Sequence, residues 1–319
     1  MFKPKILVGF SEKDYPNVLT FSRLGNCTFK KYNRNYLVSN ISKFDIFVPH
    51  LFEKIDRELI ELSKSLKIIA TPSTGSDHID IEYLKKKNIK FISLNDDKEF
   101  INLITSTAEM NWLLILACVR NLRLLIDRVQ VSKSWLNTDI RGYELNNKKL
   151  GIIGYGRLGK MVAKYGKAFG MKVLANDIDP QKYDENIIPV KLSKLLKESD
   201  IISVNAKLNK TSFRLIDSDE ISLMKKGVIL VNTARGEIIN SEAISKGIDQ
   251  DIISAVGLDV CMNEYQSSKL PEDILVKRSF HDKRIIITPH AGGSTLDAHD
   301  KVFGKTTELI KLHLEMHGL

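Results

Sequence analysis

The sequence predicts an α/β protein built from two parallel-sheet units of unequal size. Three observations carry that reading. Short β-rich runs alternate with segments of helical apolar spacing along most of the chain. The runs are apolar throughout instead of alternating, as in strands covered on both faces. A glycine pattern, LGIIGYGRLGK, stands between one such run and a helical segment.

In the first hundred or so residues the strand-like runs are KILVGF (5–10), FDIFVPH (44–50), KIIAT (67–71) and IKFISL (89–94). IDRELIELSKS (55–65) and IEYLKKKN (81–88) lie between them and read as helical crossovers. From Glu99 to about Gln130 the pattern is helical, and Ile101, Ile104, Ala108, Trp112, Leu113, Ile115 and Leu116 leave few polar positions on any face. A helix apolar nearly all round is expected to be buried, between domains or in a subunit interface. Its most apolar part, WLLILACV (112–119), is too short to span a membrane. After an irregular polar stretch, 132–149, strands resume at LGIIGY (150–155), MKVLAND (171–177), IISVNA (201–206), GVILVNT (227–233), ISAVGLDV (253–260) and RIIITPH (284–290). Residues 295–316 close the chain with helical spacing.

The bulk composition fits this picture. A chain of 319 residues, 43% hydrophobic and 27% charged, has the length of about two globular domains. The start, MFKPKILVGF, lacks the apolar core and cleavage site of a signal peptide. Cys27, Cys118 and Cys261 are too few and too widely spaced for a disulfide framework or a zinc site, so no metal and a reducing cytoplasm are expected. The net charge of +9 is spread over scattered lysines without an arginine-rich arm or a basic–aromatic stripe. It reads as a solvated surface, with neither nucleic acid nor membrane as partner.

Gly154, Gly156 and Gly159 have the G-x-G-x-x-G spacing after a strand and before a helix. Two readings apply, a phosphate cradle and a structural turn. In the first, Gly154 permits the tight turn, Gly156 lets a pyrophosphate approach the backbone, and Gly159 allows close helix–strand packing. Asp177 ends the next strand, 21 residues after Gly156. An acid there accepts hydrogen bonds from ribose hydroxyls and repels a 2′-phosphate. The following residues, Ile178, Asp179 and Pro180, include no arginine, which favours NAD over NADP.

Three later runs end in polar clusters: Thr233, Ala234 and Arg235; Asp259 and Glu264; and His290. Ligands of open parallel sheets bind outside the strand C-termini, so all three clusters are expected to face the cofactor. The residue types suit hydride transfer to a carbonyl. Arg235 can fork onto a carboxylate or polarise the carbonyl. His290 can give a proton to the nascent alkoxide, and a carboxylate beside it, Glu264, would orient the ring and favour its charged form.

These segments resemble the D-isomer-specific 2-hydroxyacid dehydrogenase family, which contains phosphoglycerate dehydrogenase and glyoxylate/hydroxypyruvate reductase. The resemblance runs from about Ile68 to Ser294 and rests on KIIATPSTGSDHID, LGIIGYGRLGK, VNTARGEIIN, GLDVCMNEY and ITPHAGGST, in the family's order and spacing. It implies an Arg–Glu–His catalytic set at Arg235, Glu264 and His290. It implies NAD(H) contacts at Gly154, Tyr155, Gly156, Arg157, Leu158, Gly159, Asp177, Thr233, Ala234, Arg235, Asp259, His290, Ala291, Gly292 and Gly293, with Asp259 at the nicotinamide carboxamide. Ser73, Thr74 and Gly75 would hold the substrate carboxylate through backbone N–H groups, together with Arg235 and His290. By its residues alone, that segment is a strand running into a glycine turn.

The resemblance also implies two Rossmann-like or flavodoxin-like parallel-sheet domains. A substrate domain (1–97 and 291–319) receives an inserted NAD domain (98–290), a long helix starts near Lys98, and homodimers form through the NAD domain. Two departures stand out. Val48, followed by Pro49 and His50, takes the place of an arginine that reaches phosphate in phosphoglycerate dehydrogenases, and Lys54 is the nearby candidate to compensate in part. Asn205 and Lys207 stand where the family commonly has His and Pro. No regulatory domain is expected after residue 319. The expected activity is hydride transfer between nicotinamide and C2 of a D-2-hydroxy acid. The alternatives are an NAD(H)-sensing corepressor and a phosphite- or formate-type dehydrogenase of the same fold.

Overall fold

A computed structural model describes residues 3–184, 187–264 and 270–318. Tyr265, the last residue of the SAVGLDVCMNEY run, lies outside the described residues. The chain forms two compact units. One runs to Ile104 and resumes at Ser294; the other starts at Thr105 and ends at Gly293.

The first unit holds five parallel strands: β1 (Lys5–Val8), β2 (Asn26–Phe29), β3 (Ile46–Val48), β4 (Ile68–Thr71) and β5 (Lys90–Ser93), in the order β2-β1-β3-β4-β5. All pairings are parallel, with Ile6 opposite Ile46 and Ile69 opposite Phe91. One face packs Ile6, Val8, Ile46, Ile68 and Ile92; the other packs Leu7, Phe47 and Ile69. Burial on both faces is why these runs do not alternate. The helix Leu296–Met316 returns to this sheet and puts Val302, Phe303, Ile310 and Leu314 into the same cluster as Ile6 and Val8. Lys305 clamps it with a 3.0 Å ion pair to Asp97.

The second unit holds seven parallel strands: β6 (Lys149–Ile153), β7 (Lys172–Asn176), β8 (Ile188–Pro189), β9 (Ile201–Val204), β10 (Val228–Asn232), β11 (Ile253–Leu258) and β12 (Ile285–Ile287). Their order is β12-β11-β10-β9-β6-β7-β8. The chain builds outward from β6 through β7 to β8, then returns to lay β9 on the other side of β6. That reversal opens a crevice at the C-terminal ends of β6 and β9, the usual ligand position of such sheets.

Every strand run read from the sequence is a strand here. The edge strands β2 and β8 were not among them, because each carries few buried side chains. The helical stretch from Glu99 is not continuous: Lys98–Asn102, Ser106–Val119 and Leu122–Gln130 are separate helices. Asn121, in the left-handed region at φ +51°, makes the second break. The helix Ser106–Val119 packs against β10, β11 and the helix Arg157–Ala168, with Ala108, Trp112, Leu114 and Ile115 buried in that cluster, which accounts for its apolar circumference.

Helix Arg157–Ala168 lies directly on β6. A Cβ at Gly159 would fall 2.1 Å from the Gly154 carbonyl oxygen, a backbone atom that cannot swing aside. Gly159→Ala is therefore expected to cost about 2 kcal/mol or more and to lower Tm in thermal unfolding. An unchanged Tm would contradict this packing.

Candidate active site

The loop from β6 to helix Arg157–Ala168 shows how the glycines act. Gly154 has φ +91°, and a side chain there would meet the backbone of Asn205 and Ala206 after β9. The loop thus presses against the crevice between β6 and β9. Gly156, by contrast, has open space where a Cβ would stand, and it precedes a helix whose first-turn N–H groups have no intrahelical partner. An open cradle at a 12-residue helix start fits a pyrophosphate. Tyr155, Arg157 and Leu158 line this turn. Burial pushes the Arg157 guanidinium below its ordinary value.

Asp177 follows β7 with its side chain almost fully buried. Its carboxylate accepts from Tyr155 N–H at 2.8 Å, Asp179 N–H at 2.9 Å and Lys182 Nζ at 2.9 Å. The acid expected at the ribose is therefore fixed to the glycine loop itself. Its lysine partner, five residues on, is not visible in the local sequence reading.

At the ends of β10, β11 and β12 the three polar clusters come together on adjacent strands. Asn232 clamps the first: its Oδ1 accepts from Ala234 N–H at 2.9 Å and its Nδ2 donates to the Arg235 carbonyl at 2.8 Å. Gly236 lies so close to the Cys261–Met262 backbone that a Cβ would be 2.1 Å from Cys261 C. The turn carrying Arg235 therefore touches the turn leading to Glu264.

His290 and Glu264 form a dyad. Nδ1 of the ring stands 2.7 Å from Glu264 Oε1, and both side chains are largely enclosed. Oε2 accepts from Cys261 N–H at 3.2 Å, which fixes the carboxylate from its other side. His290 holds φ +50°, a left-handed conformation that a non-glycine residue adopts at a cost of about 1 kcal/mol. Asp259 offsets that cost. Its carboxylate accepts from the Thr288 hydroxyl, from Ala291 N–H at 2.9 Å and from Gly292 N–H at 2.7 Å, on both sides of His290. Burial raises the Asp259 carboxyl above the usual carboxylate range, while those three hydrogen bonds pull it back. Gly293 has open space beside it. Burial pushes the neighbouring Cys261 thiol up to about 12, so it is protonated and not a nucleophile.

Thr233 is held from behind. Asn111, fully buried on the helix Ser106–Val119, donates from Nδ2 to Thr233 Oγ1 at 2.9 Å and accepts from Ser203 Oγ at 3.0 Å. Asn205 Nδ2 donates to the same Ser203 Oγ at 2.8 Å. This network ties the ends of β9 and β10 to one helix. Sequence reading missed Asn111 because it sits in an apolar run; a lone amide among core positions was the available signal.

In the first unit, Ser73, Thr74 and Gly75 follow β4. Ser73 Oγ donates to the Gly75 carbonyl at 2.7 Å, and the Thr74 carbonyl accepts from Asn95 Nδ2 at 2.7 Å. The backbone N–H groups of these three residues make no hydrogen bond among the described residues, which leaves three donors in one turn. No group of three or more metal-ligating side chains occurs among the described residues.

Comparison with known proteins decides the family. Residues 112–292 match the model of the D-isomer specific 2-hydroxyacid dehydrogenase NAD binding domain. The chain belongs to this family. As a member it is an NAD(H)-dependent oxidoreductase of 2-hydroxy acids. The enzyme is 34% identical over 275 residues to a hydroxypyruvate reductase of Thermotoga maritima, covering 86% of both chains. It is 33% identical to a glyoxylate reductase of Thermococcus litoralis, covering 84% of this chain and 80% of that one. Its fold matches a D-lactate dehydrogenase from Aquifex aeolicus, solved with NAD and lactic acid, at TM-score 0.85 and 30% identity over 98% of this chain and 95% of the other.

Replacing Asn111 by Leu keeps the bulk of the side chain and removes its amide. Buried hydroxyls of Thr233 and Ser203 then lose a partner, at an expected cost of about 1–3 kcal/mol. Urea unfolding measures the loss; an unchanged midpoint would show that the network contributes nothing.

Proposed function

We propose that this enzyme is a D-2-hydroxyacid dehydrogenase that reduces small 2-oxo acids, with His290 as general acid and base. The observation that carries the proposal is the enclosed 2.7 Å contact between His290 Nδ1 and Glu264 Oε1. NAD(H), bound along the glycine loop and Asp177, supplies the hydride that passes between nicotinamide and substrate C2.

The chain's own groups do the rest. Glu264 accepts a hydrogen bond from Nδ1–H and so fixes the tautomer and plane of the ring, leaving Nε2 for the substrate oxygen. In reduction, Nε2–H gives its proton to the developing alkoxide; in oxidation, Nε2 removes it from the hydroxyl. Arg235, on the clamped turn after β10, binds the carboxylate or polarises the carbonyl as a fixed cation. The three free N–H groups of Ser73, Thr74 and Gly75 suit a carboxylate. Thr233, Ala234, Asp259 and the 290–293 turn belong to the nicotinamide side. In this reading Asp259 acts chiefly by holding the loop of His290.

The names of the similar proteins favour glyoxylate, hydroxypyruvate or pyruvate as substrate. With Val48 at the end of β3, followed by Pro49 and His50, in place of a phosphate-binding arginine, 3-phosphoglycerate is disfavoured. A dimer through the second unit accords with the apolar side chains exposed on and after helix Leu122–Gln130: Ile126, Val129, Val131, Trp135 and Leu136. A cytoplasmic location belongs to the same reading, and it rests on the sparse, widely spaced cysteines of the sequence.

Two measurements test these assignments. NADH oxidation is expected with glyoxylate, hydroxypyruvate or pyruvate, and His290→Ala should lower kcat by about 10²–10⁴ with NADH affinity kept. Normal turnover in that variant would overturn the role of His290. Trp135→Glu with Leu136→Lys should convert a dimer to a monomer in light scattering; an unaffected dimer would place the interface elsewhere.

A further inference from the structure

We propose that Lys182 is a specificity-determining residue for the cofactor, its ammonium admitting the 2′-phosphate of NADPH beside Asp177. The inference rests on the assignment of Asp177 to the adenosine ribose. From the sequence alone, Asp177 followed by Ile178, Asp179 and Pro180 presents negative charge and favours NAD over NADP. The structure places a cation in that position from further along the chain.

Lys182 ends a short 3-10 turn, Pro180–Lys182, that Asp179 caps by accepting from Gln181 N–H at 3.1 Å. Tyr183 ties the turn back to the strand end: its hydroxyl accepts from Asp177 N–H at 2.7 Å and donates to the Asp177 carbonyl at 3.1 Å. The backbone on both sides of Lys182 is thus anchored at Asp177. The lysine side chain is 40% exposed and the Asp177 side chain 6%, so the ammonium is the solvent-accessible partner of this 2.9 Å pair. Any group approaching Asp177 from solvent meets this positive charge.

The acceptor count supports the same conclusion. A carboxylate offers about four lone-pair positions. Tyr155 N–H, Asp179 N–H and Lys182 Nζ use three of them at Asp177. A ribose with a 2′-phosphate brings one hydroxyl donor there, which fits the remaining position and leaves the ammonium in place to face the phosphate. The unmodified ribose of NADH brings two, and the second must take the position of Lys182. The nearby acid Asp184 is itself engaged, by the Tyr155 hydroxyl at 3.0 Å and by Lys160 at 3.7 Å. One geometry therefore serves both cofactors, and Lys182 sets the balance between them.

The test is fluorescence titration of the full-length protein with NADH and with NADPH, in the wild type and in Lys182→Met and Lys182→Gln. Removing the charge should raise the ratio of the NADPH Kd to the NADH Kd by about fivefold or more in both variants, through weaker NADPH binding. A smaller rise in either variant overturns the proposal. NADH binding by the variants reports an intact pocket. A wild type that binds neither dinucleotide would instead overturn the assignment of Asp177 to the ribose, and this inference with it.

Discussion

The carboxylate of Asp259 is the constraint on which the reactive part of the molecule depends. It stands at the end of β11 and takes three donors from the segment after β12, on both sides of His290. A buried carboxylate left without those donors would be costly, so the loop has little freedom to move away from it. His290 is thereby held in a left-handed conformation that its side chain alone would not favour. The dyad partner, Glu264, belongs to the turn that follows the same strand as Asp259, so β11 sets both the base of the loop and the orientation of the ring.

A similar economy holds on the cofactor side. Asp177 accepts from the glycine loop, so the group expected to meet the ribose and the backbone expected to meet the pyrophosphate are one hydrogen-bonded assembly. Asn111 does for β9 and β10 what Asp259 does for β11 and β12. One buried polar side chain fixes two strand ends through short, satisfied bonds. The sheet order β12-β11-β10-β9 then sets these pairs side by side.

Much of this was legible in the residues. Parallel strands covered on both faces announce themselves as unbroken apolar runs, so β1, β3 to β7 and β9 to β12 could be read directly. The edge strands β2 and β8 could not, because NCTF and Ile188–Pro189 bury too little to leave a pattern. Arg235, Asp259, Glu264 and His290 were legible because strand C-termini are where such sheets bind ligands. Asn111, Asn232, Thr288 and Lys182 were not, since each acts through contacts that exist only once the chain has folded. The breaks in the helical stretch from Glu99 carry no proline or glycine, and apolar periodicity runs straight through them.

The return of helix Leu296–Met316 to the first sheet has a consequence for how the chain is made. Strands β1 to β5 leave the ribosome before the second unit, yet the face formed by Ile6, Val8, Ile46, Ile68 and Ile92 is closed by Phe303 and Ile310, which follow it. The inserted unit, contiguous in sequence apart from its edges, can complete itself in the meantime. That face of the first sheet therefore stays open until the whole second unit, which ends at Gly293, has been made. The segment Leu296–Met316 decides whether that sheet is sealed or left for a chaperone.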